Sequence, residues 1–433
     1  MDDAQPEIRS PAAAKFDGVD LAALALRVGT PCHAYSATAI RARIDSLKSA
    51  LGDLDALICF AVKANPNVAL LQLMARAGVG ADIVSAGELR RALRAGIAPD
   101  RIVFSGVGKT LQEIDEALFA GVARFNLESR DELECLQQLA REHQRIAHAA
   151  VRVNPDVDAG THAKISTGKA ENKFGVSMDE ARSWFAASER FTHVRLDGLH
   201  VHIGSQILSV EPLREAFARI AEFRRALAAA GHAIASIDVG GGLGVSYREG
   251  QDRPVTPDAY VDAIRASLAD FSGRIVLEPG RWLVAEAGIL LTRVIRIKHG
   301  VQRDFLVIDA AMTDLVRPAM YDAWHDIAHV PAAASVATAV RARPLASYDI
   351  VGPVCESSDI FAQARELPAC APGDLLMIKA TGAYGASMAS TFNSRPLAAE
   401  VLLDDGRYSI VRRRQTFEEM ISGETFATDW QST

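Results

Sequence analysis

Eight short β-rich runs alternate with helical patterns between residues 56 and 280, and this alternation restricts the fold more than any other feature. Segments between the runs, such as NVALLQLMARAG, place apolar residues at i, i+3, i+4 and i+7, as amphipathic helices do. Repeated strand–helix units build a parallel sheet, and eight units predict an α/β fold with a (β/α)8 TIM-like barrel. The predicted strands are ALICFAVKA (56–64), ADIVS (81–85), RIVFSG (101–106), RFNLES (124–129), AAVRVNP (149–155), LDGLHVHIG (196–204), SIDVGG (236–241) and RIVLEPG (274–280).

The strand–helix alternation ends at about residue 285. Beyond it, β-rich runs such as ILLTRVIRIKH, DFLVIDA and YDIVGPV follow one another without long helical patterns between them. This pattern predicts a mainly β C-terminal domain, built as a sandwich or a barrel-like sheet. A chain of 433 residues also exceeds what a single core usually serves. We therefore expect a barrel domain over 36–285 and a β-rich domain over 286–433, which the tail and first strand at 1–35 join.

Composition and charge exclude several classes of protein. No stretch reaches the roughly 18–20 apolar residues that a membrane span needs, and the acidic N-terminus does not resemble a secretory signal. The five scattered cysteines never form a CxxC pair. The net charge of −7 comes without a basic cluster, apart from the arginine triplet at 412–414. We expect a cytoplasmic protein with no membrane or nucleic-acid partner and no structural zinc.

The carboxyl ends of the predicted strands carry reactive side chains, and barrel enzymes place their functional groups at these ends. Lys63 ends the first strand, where burial of its stem would desolvate the ammonium and lower the lysine pKa. Lysines of this kind form Schiff bases, which suggests a catalytic lysine. A surface lysine with a buried stem is an equal alternative.

His200 and His202 lie two residues apart on the sixth strand and therefore share a face. A buried histidine pair, a metal site, or a flat ring stacked on a cofactor would each account for them. No cluster of further ligands at metal-binding spacing accompanies them, so we expect no metal. Ser205, just beyond, is a candidate phosphate ligand.

The last two barrel strands end in an anion-site candidate and a charged motif. GGGLG (240–244) exposes backbone N–H groups that can approach an anion, although it matches neither the dinucleotide nor the triphosphate motif. EPGR (278–281) places Glu278 and Arg281 at the same end, either as functional groups or as a structural ion pair.

Three loop motifs in the β-rich half combine reactive side chains with glycine and proline. They are RPAMY (317–321), GPVCES (352–357) and GAYGASM (382–388). Polar residues on tight loops are often functional. Cys355 could equally be an inert small hydrophobic residue.

Taken together, these segments resemble the barrel-type (fold type III) family of pyridoxal phosphate decarboxylases, which includes enzymes for ornithine, arginine and diaminopimelate. The resemblance runs from about Thr30 to Glu418 and is strongest to the diaminopimelate branch. The motifs that carry it are FAVKAN, GADIVSAGEL, VFSGVGKT, THAKISTGKAENKFGV, HVHIGSQI, DVGGGLGVSY, EPGR, RPAMYDA, GPVCESSD and STFNSRPLAAEVL, in the family's order.

The resemblance implies a site for pyridoxal 5'-phosphate. Lys63 would hold the cofactor as a Schiff base, His202 would stack on its ring, and Glu278 would pair with the pyridine nitrogen. Asp82 matches a carboxylate that the family places near this lysine. The other implied cofactor-binding residues are Ser205, Gly240, Gly241, Gly242, Pro279, Gly280, Arg281 and Tyr384.

The resemblance also implies a reaction, the decarboxylation of meso-diaminopimelate to L-lysine and carbon dioxide, which is the last step of lysine biosynthesis. Lys63, His202 and Cys355 would be catalytic, with Cys355 as a proton donor contributed across the interface of a homodimer. Arginines that grip a distal carboxylate argue against ornithine, which has none. The implied substrate-binding residues are Arg281, Arg317, Tyr321, Glu356, Ser357 and Tyr384.

Three alternatives remain at this point. They are a sister decarboxylase for another basic amino acid or a carboxylated polyamine, a non-catalytic cofactor-binding protein, and a related racemase. RPAMY with CES disfavours the first. Retention of Lys63, His202, Glu278 and Cys355 together disfavours the second, and the lack of an obvious tyrosine base disfavours the third. Ser358 stands where the family usually has glycine, so we expect a mild effect on loop geometry or rate.

Overall fold

The computed structural model describes residues 14–158, 173–331, 343–428 and 430–431. The chain divides into two compact units. The β unit comprises 1–36, 289–381 and 388–433, and the barrel unit comprises 37–288 and 382–387. Most of the motif at 161–176 lies outside the described residues.

Strands and helices of the described residues follow one another in an order that alternates through the middle of the chain. The strands are β1 (Lys15–Phe16), β2 (Val19–Asp20), β3 (Cys32–Ser36), β4 (Ala56–Ala61), β5 (Gly80–Ile83), β6 (Ile102–Phe104), β7 (Arg124–Leu127), β8 (Ala147–Arg152), β9 (Val194–His200), β10 (Ser236–Asp238), β11 (Arg274–Leu277), β12 (Gly288–His299), β13 (Asp304–Ile308), β14 (Ile327–Val330), β15 (Leu345–Val351), β16 (Ile360–Pro368), β17 (Leu375–Ile378), β18 (Ala399–Asp404) and β19 (Arg407–Arg412). The helices are α1 (Leu21–Val28), α2 (Ala37–Leu51), α3 (Val68–Arg76), α4 (Ala86–Arg94), α5 (Leu111–Ala120), α6 (Arg130–Glu142), α7 (Met178–Ala186), α8 (Glu211–Ala229), α9 (Pro257–Ser267), α10 (Arg281–Val284), α11 (Arg317–Tyr321) and α12 (Phe417–Met420).

Eight parallel strands of the barrel unit, β4 to β11, close into a barrel, which confirms the predicted fold class. Each strand pairs with its neighbours in chain order, and β11 pairs with β4 to close the ring. The strands are almost wholly buried, because one face points into the barrel and the other is covered by helices. This burial on both faces explains why the strands read as continuous apolar runs.

Capping side chains define where two of the covering helices begin. Thr110 caps α5, and its hydroxyl and the Glu113 carboxylate satisfy backbone N–H groups reciprocally in a capping box. Ser129 caps α6 by accepting a hydrogen bond from the N–H of Glu132. Both helix starts are therefore fixed by side-chain hydrogen bonds to the first backbone N–H groups.

The β unit is built on a mainly antiparallel sheet, as predicted for the C-terminal half. Its strands pair in the order β16-β15-β13-β12-β3-β18-β19, and β17 joins β12 to β14. The early strand β3 pairs with the late strand β18, from Cys32 opposite Ala399 to Ser36 opposite Leu403. The N-terminal strand is thus an integral part of this sheet.

No helix within the described residues combines the length and the apolar character that crossing a lipid bilayer requires.

Candidate active site

Lys63 and Asp82 form an ion pair at the carboxyl ends of β4 and β5. Lys63 lies in a 3-10 turn, Val62–Ala64, that directly follows β4. Its Nζ lies 3.0 Å from Oδ2 of Asp82, whose side chain is fully buried. Because 44% of the Lys63 side chain is exposed, the pair joins a buried carboxylate to an accessible amine.

The expectation that burial lowers the pKa of Lys63 is wrong for this arrangement. Burial does lower it, but the charges of Asp82, Tyr384 and Glu278 outweigh burial, and the pKa of Lys63 is raised. Solvent around the exposed part of the side chain screens these charges. Lys63 is therefore an ammonium at neutral pH and must lose a proton before it can act as a nucleophile.

His202 is held as a neutral imidazole of defined orientation. It lies two residues beyond the end of β9, and its Nδ1 accepts a hydrogen bond of 3.2 Å from the N–H of Gly241. This bond leaves the ring proton on Nε2. Burial, with the nearby charges of Arg152 and Lys63, lowers the pKa of His202 to about 3. A neutral, fixed ring is suited to stacking on a flat cofactor.

The glycine loop after β10 packs tightly between its neighbours. Gly240 has φ of 68°, a left-handed conformation that favours glycine. A Cβ on Gly241 would lie 2.2 Å from the carbonyl oxygen of Glu278, so no side chain fits there. The Gly240 carbonyl in the same loop accepts a hydrogen bond of 2.8 Å from the backbone N–H of Glu278. The loops after β10 and β11 therefore form one closely packed backbone surface.

The backbone of Pro279 and Gly280 lies against the end of β4. The Pro279 carbonyl accepts a hydrogen bond of 3.2 Å from the N–H of Ala61. A Cβ on Gly280 would come within 2.9 Å of the Ala61 side chain. This packing brings the EPGR segment next to the turn that carries Lys63.

Glu278 is the centre of a buried polar network inside the barrel. Its Oε1 accepts hydrogen bonds from Ser105 (3.1 Å) and Asn126 (3.2 Å). His200 Nε2 lies 3.2 Å from Glu278 Oε2 without the alignment of a hydrogen bond, so the contact is an ion pair. Asn126 also donates to Asp238 (3.3 Å), whose other oxygen accepts the N–H of Gly240. The network thus connects five barrel strands or strand ends.

The ionisable groups of this network differ in the direction of their pKa shifts. Burial raises the pKa of Glu278, but the charge of His200 outweighs it and the pKa of Glu278 is lowered. Burial, together with the charge of Glu278, raises the pKa of Asp238 to about 8. The pKa of His200 is raised, because the two carboxylates outweigh its burial. The lowered pKa of Glu278 makes it an ionised carboxylate at neutral pH, whereas the raised pKa of Asp238 favours its protonated form.

By distance alone, His200, Asp238 and Glu278 could also hold a metal ion, since their ligand atoms lie within 4.8 Å of one another. Asn126, however, points an N–H donor at both carboxylates, and a donor opposes a cation at this position. The absence of a metal stays a prediction of the sequence.

Arg281 and Tyr384 lie against each other near the turn that carries Lys63. Arg281 donates to the Tyr247 hydroxyl (2.6 Å) and to Ser205 Oγ (3.2 and 3.3 Å). Its guanidinium lies 4.8 Å from the centre of the Tyr384 ring. Tyr384 has φ of 57°, a strained conformation for a tyrosine, and its N–H donates to the Ala64 carbonyl (2.9 Å). Tyr384 is thus tied to the turn that carries Lys63.

The β unit carries the other predicted site residues on two segments. Arg317 and Tyr321 begin and end the short helix α11, and Arg317 is buried. Cys355 is exposed, and its N–H donates to Asn393 Oδ1 (2.8 Å). Glu356 follows Cys355 at the surface.

Ser357 and Ser358 surround the Glu356 carboxylate. Glu356 Oε1 accepts hydrogen bonds from Ser357 Oγ (3.4 Å) and from both the N–H and Oγ of Ser358 (3.2 Å each). These bonds, with the Ser358 backbone first, lower the pKa of Glu356. Ser358 does not have a positive φ, so serine needs no strained conformation at this position. The conformational argument for an effect at this position therefore has no basis.

Ser105, Asn126 and Asp238 contribute to the site but were not predicted. Each is a polar residue at or next to the carboxyl end of a buried barrel strand: Ser105 directly follows β6, Asn126 lies within β7 and Asp238 ends β10. A polar residue at that position of a buried strand is the signal that identifies them. Tyr247 had no comparable signal in the sequence.

Comparison with known proteins gives one consistent family. Residues 37–285 match the pyridoxal binding domain of the pyridoxal-dependent decarboxylases. The chain is 46% identical to a diaminopimelate decarboxylase of Zymomonas mobilis, over 94% of this chain and 96% of that one. It is 47% identical to one of Pseudomonas aeruginosa over the same shares.

Solved structures agree with the sequence matches. The diaminopimelate decarboxylase of Helicobacter pylori complexed with L-lysine superposes with a TM-score of 0.87 at 40% identity, covering 92% of this chain and 98% of that one. Known proteins of nearly equal length thus match both the sequence and the fold. The chain therefore belongs to the pyridoxal-dependent decarboxylase family, in the branch of the diaminopimelate decarboxylases.

Proposed function

We propose that this chain decarboxylates meso-diaminopimelate to L-lysine and carbon dioxide, with pyridoxal 5'-phosphate as its cofactor. One observation carries the proposal. Lys63, a neutral His202 and an ionised Glu278 lie at the same end of a barrel whose chain matches diaminopimelate decarboxylases over more than nine-tenths of its length.

The chemical groups of the barrel site match those that would hold pyridoxal phosphate. It offers an accessible amine on Lys63, a flat neutral ring on His202, and a buried carboxylate on Glu278. Asp82 Oδ1 is buried without a hydrogen-bond partner among the described residues, which leaves an acceptor beside the amine. Ser205 supplies a hydroxyl donor for a phosphate, and the glycine loop lets a phosphate approach the backbone closely, although the N–H groups of Gly240 and Gly241 already donate to Asp238 and His202.

Each residue of the barrel site has a distinct task in this account. Lys63 would attach the cofactor, with Asp82 holding the lysine in place. His202 would stack against the ring, and Glu278 would pair with its nitrogen. The bound cofactor supplies an electron-accepting ring for the pair released when the Cα–carboxylate bond breaks. Ser205, Gly240, Gly241, Gly242, Pro279, Gly280, Arg281 and Tyr384 complete the cofactor site.

Substrate selection falls to residues that recognise the end that does not react. Arg281, Arg317 and Tyr321 donate to the distal carboxylate, and Glu356 accepts from the distal ammonium. Ser357 supports Glu356, to which it already donates a hydrogen bond. Cys355 returns a proton to Cα, and its exposed position is compatible with that task.

We further propose that the protein acts in the cytoplasm as a homodimer, in which Cys355 and Glu356 of one chain serve the other chain's site. We propose a barrel domain at 36–285 and a β-rich domain at 286–433, which 1–35 joins. The division of the chain near Ser36 and Gly288 supports these boundaries.

Carbon dioxide release by the purified protein with added pyridoxal phosphate tests the substrate. Meso-diaminopimelate, LL-diaminopimelate, ornithine and arginine are compared at equal concentration. Preference for the meso compound supports the proposal. Preference for ornithine or arginine would overturn the roles given to Arg317 and Tyr321. Release of no carbon dioxide from any of the four compounds would favour a non-catalytic protein.

A further inference from the structure

His325, which no motif above includes, contacts the guanidinium of Arg317 inside the β unit. His325 Nε2 lies 2.8 Å from Arg317 Nη1, and both side chains are buried, with exposures of 1% and 6%. On the other side of the ring, His325 Nδ1 lies 2.8 Å from the carbonyl oxygen of Lys379. The imidazole thus bridges a backbone carbonyl and a buried cation.

These two contacts determine where the ring proton lies. A carbonyl oxygen can only accept, so His325 Nδ1 must carry the proton and donate it to Lys379. Arg317 can only donate, so Nε2 must be the unprotonated acceptor. His325 is therefore neutral and in a single tautomer when both contacts are made.

The backbone around His325 is fixed by its neighbours. The next strand, β14, pairs with β17 from Ile327 opposite Ile378, and the N–H of Lys379 donates to the Asp326 carbonyl (2.8 Å). Arg365 donates to the His325 carbonyl (3.1 Å), and its guanidinium stacks 3.7 Å from the centre of the Trp324 ring. The backbone that carries the imidazole is consequently held by hydrogen bonds from Lys379 and Arg365.

A neutral imidazole affects the charge of Arg317 differently from a carboxylate. Aspartate or glutamate at this position would orient Arg317 but also neutralise its charge and compete with a bound carboxylate. Imidazole fixes one N–H of the guanidinium and leaves the positive charge in place. The remaining donors of the planar fork then have a defined direction.

We propose that His325 is a positioning residue that orients Arg317, without neutralising it, toward the distal carboxylate of the substrate. This inference rests on the proposed function, which gives Arg317 that ligand. L-lysine is a direct probe, because it retains the amino-acid end that does not react. Cadaverine is its matched control, because it has the same chain and amines but no carboxylate.

Two substitutions separate the two contacts of the ring. His325→Asn keeps a donor near the Nδ1 position for the Lys379 carbonyl but removes the acceptor for Arg317. His325→Gln places an oxygen near the Nε2 position and keeps that acceptor. His329→Asn is a control four residues further along the chain, in β14, where His329 lies 3.5 Å from Asp374.

Binding of L-lysine and cadaverine to each holoenzyme is measured by calorimetry. We expect His325→Asn to weaken L-lysine binding by on the order of tenfold, the loss of one hydrogen bond to a charged group. His325→Gln should recover most of that loss, while His329→Asn and all cadaverine affinities stay unchanged.

A double-mutant cycle with Arg317→Ala tests whether the effect passes through Arg317. In that background we expect His325→Asn to change L-lysine binding no further. Unchanged L-lysine affinity in His325→Asn, or a full effect that persists without Arg317, would overturn the inference. Decarboxylation of meso-diaminopimelate by the unmodified protein is measured in parallel, and its absence would refute the proposed function separately.

Discussion

His200 and Glu278 face each other across 3.2 Å inside the closed barrel, and neither side chain is more than 5% exposed. The charge of His200 outweighs the effect of burial and lowers the pKa of Glu278, so this carboxylate is ionised at neutral pH. In the proposed function, this ionised carboxylate would hold a proton on the pyridine nitrogen of pyridoxal phosphate, which would make the ring a better electron acceptor.

Replacing Glu278 with glutamine should therefore impair catalysis more than cofactor attachment. The glutamine oxygen can still accept from Ser105 and Asn126, but the side chain carries no charge. We expect kcat to fall by on the order of a hundredfold or more, as when a preorganised electrostatic group is lost. Glu286→Gln, at an ion pair with Arg43, is the control. A kcat near that of the unmodified protein would refute this role for Glu278.

Asp82→Asn should change the pH at which pyridoxal phosphate attaches to Lys63. Asp82 raises the pKa of Lys63, so its removal leaves only Tyr384 and Glu278 to oppose burial and that pKa falls. More of the lysine is then the free amine at neutral pH, and attachment should extend to lower pH. Borohydride trapping of the cofactor at a series of pH values, followed by mass spectrometry, measures this profile. The same profile in both proteins would contradict the electrostatic argument.

His33 should make the protein lose stability as the pH falls. Burial, with the charge of Arg412, lowers the pKa of this fully buried histidine to about 3, below its unfolded value near 6.5. A histidine whose folded pKa is depressed contributes full stability above the unfolded pKa and loses it between about pH 6.5 and pH 3. The loss approaches a few kcal/mol at the acid end.

His33→Phe keeps a flat ring but cannot be protonated, so its unfolding temperature should fall less steeply with decreasing pH than that of the unmodified protein. His299→Gln, at an exposed position, should follow the unmodified protein. Parallel curves for all three proteins would mean that His33 does not titrate on unfolding.

Much of the barrel could be predicted because its strands are buried on both faces and its helices on one. The predicted strands nevertheless ran too far at their carboxyl ends. Lys63 lies in a 3-10 turn and His202 lies beyond β9, although the apolar pattern continues through both positions. Pairing between parallel strands ends where they diverge at the rim, and hydrophobicity alone does not mark that point.

The network around Glu278 could not be predicted in the same way, because its contacts join distant parts of the chain. Ser105 and Glu278 are 173 residues apart in sequence. The sign of the Lys63 pKa shift was also missed, because it depends on carboxylates that only the folded barrel brings to the lysine. His325 escaped notice for a related reason, since its role depends on a backbone carbonyl 54 residues away.

A mixture of two inactive variants can test whether sites are shared in a homodimer. Lys63→Ala removes the amine, and Cys355→Ser weakens the proposed proton donor. If each site takes Cys355 from the other chain, a mixed dimer has one intact site, and a 1:1 mixture that exchanges subunits recovers about a quarter of full activity. Activity no higher than that of either variant alone, with exchange demonstrated, would place both residues in a site of one chain.

The central claim is that Lys63 carries out decarboxylation of meso-diaminopimelate through its amine. The most direct measurement is carbon dioxide and L-lysine formation from this substrate by the unmodified holoenzyme and by Lys63→Ala, with cofactor content determined for both. We predict equal amounts of both products from the unmodified protein and a rate at least a thousandfold lower, on the order expected when a covalent catalyst is lost, from the variant. Product formation by Lys63→Ala at the unmodified rate, or none by the unmodified holoenzyme, would contradict the account.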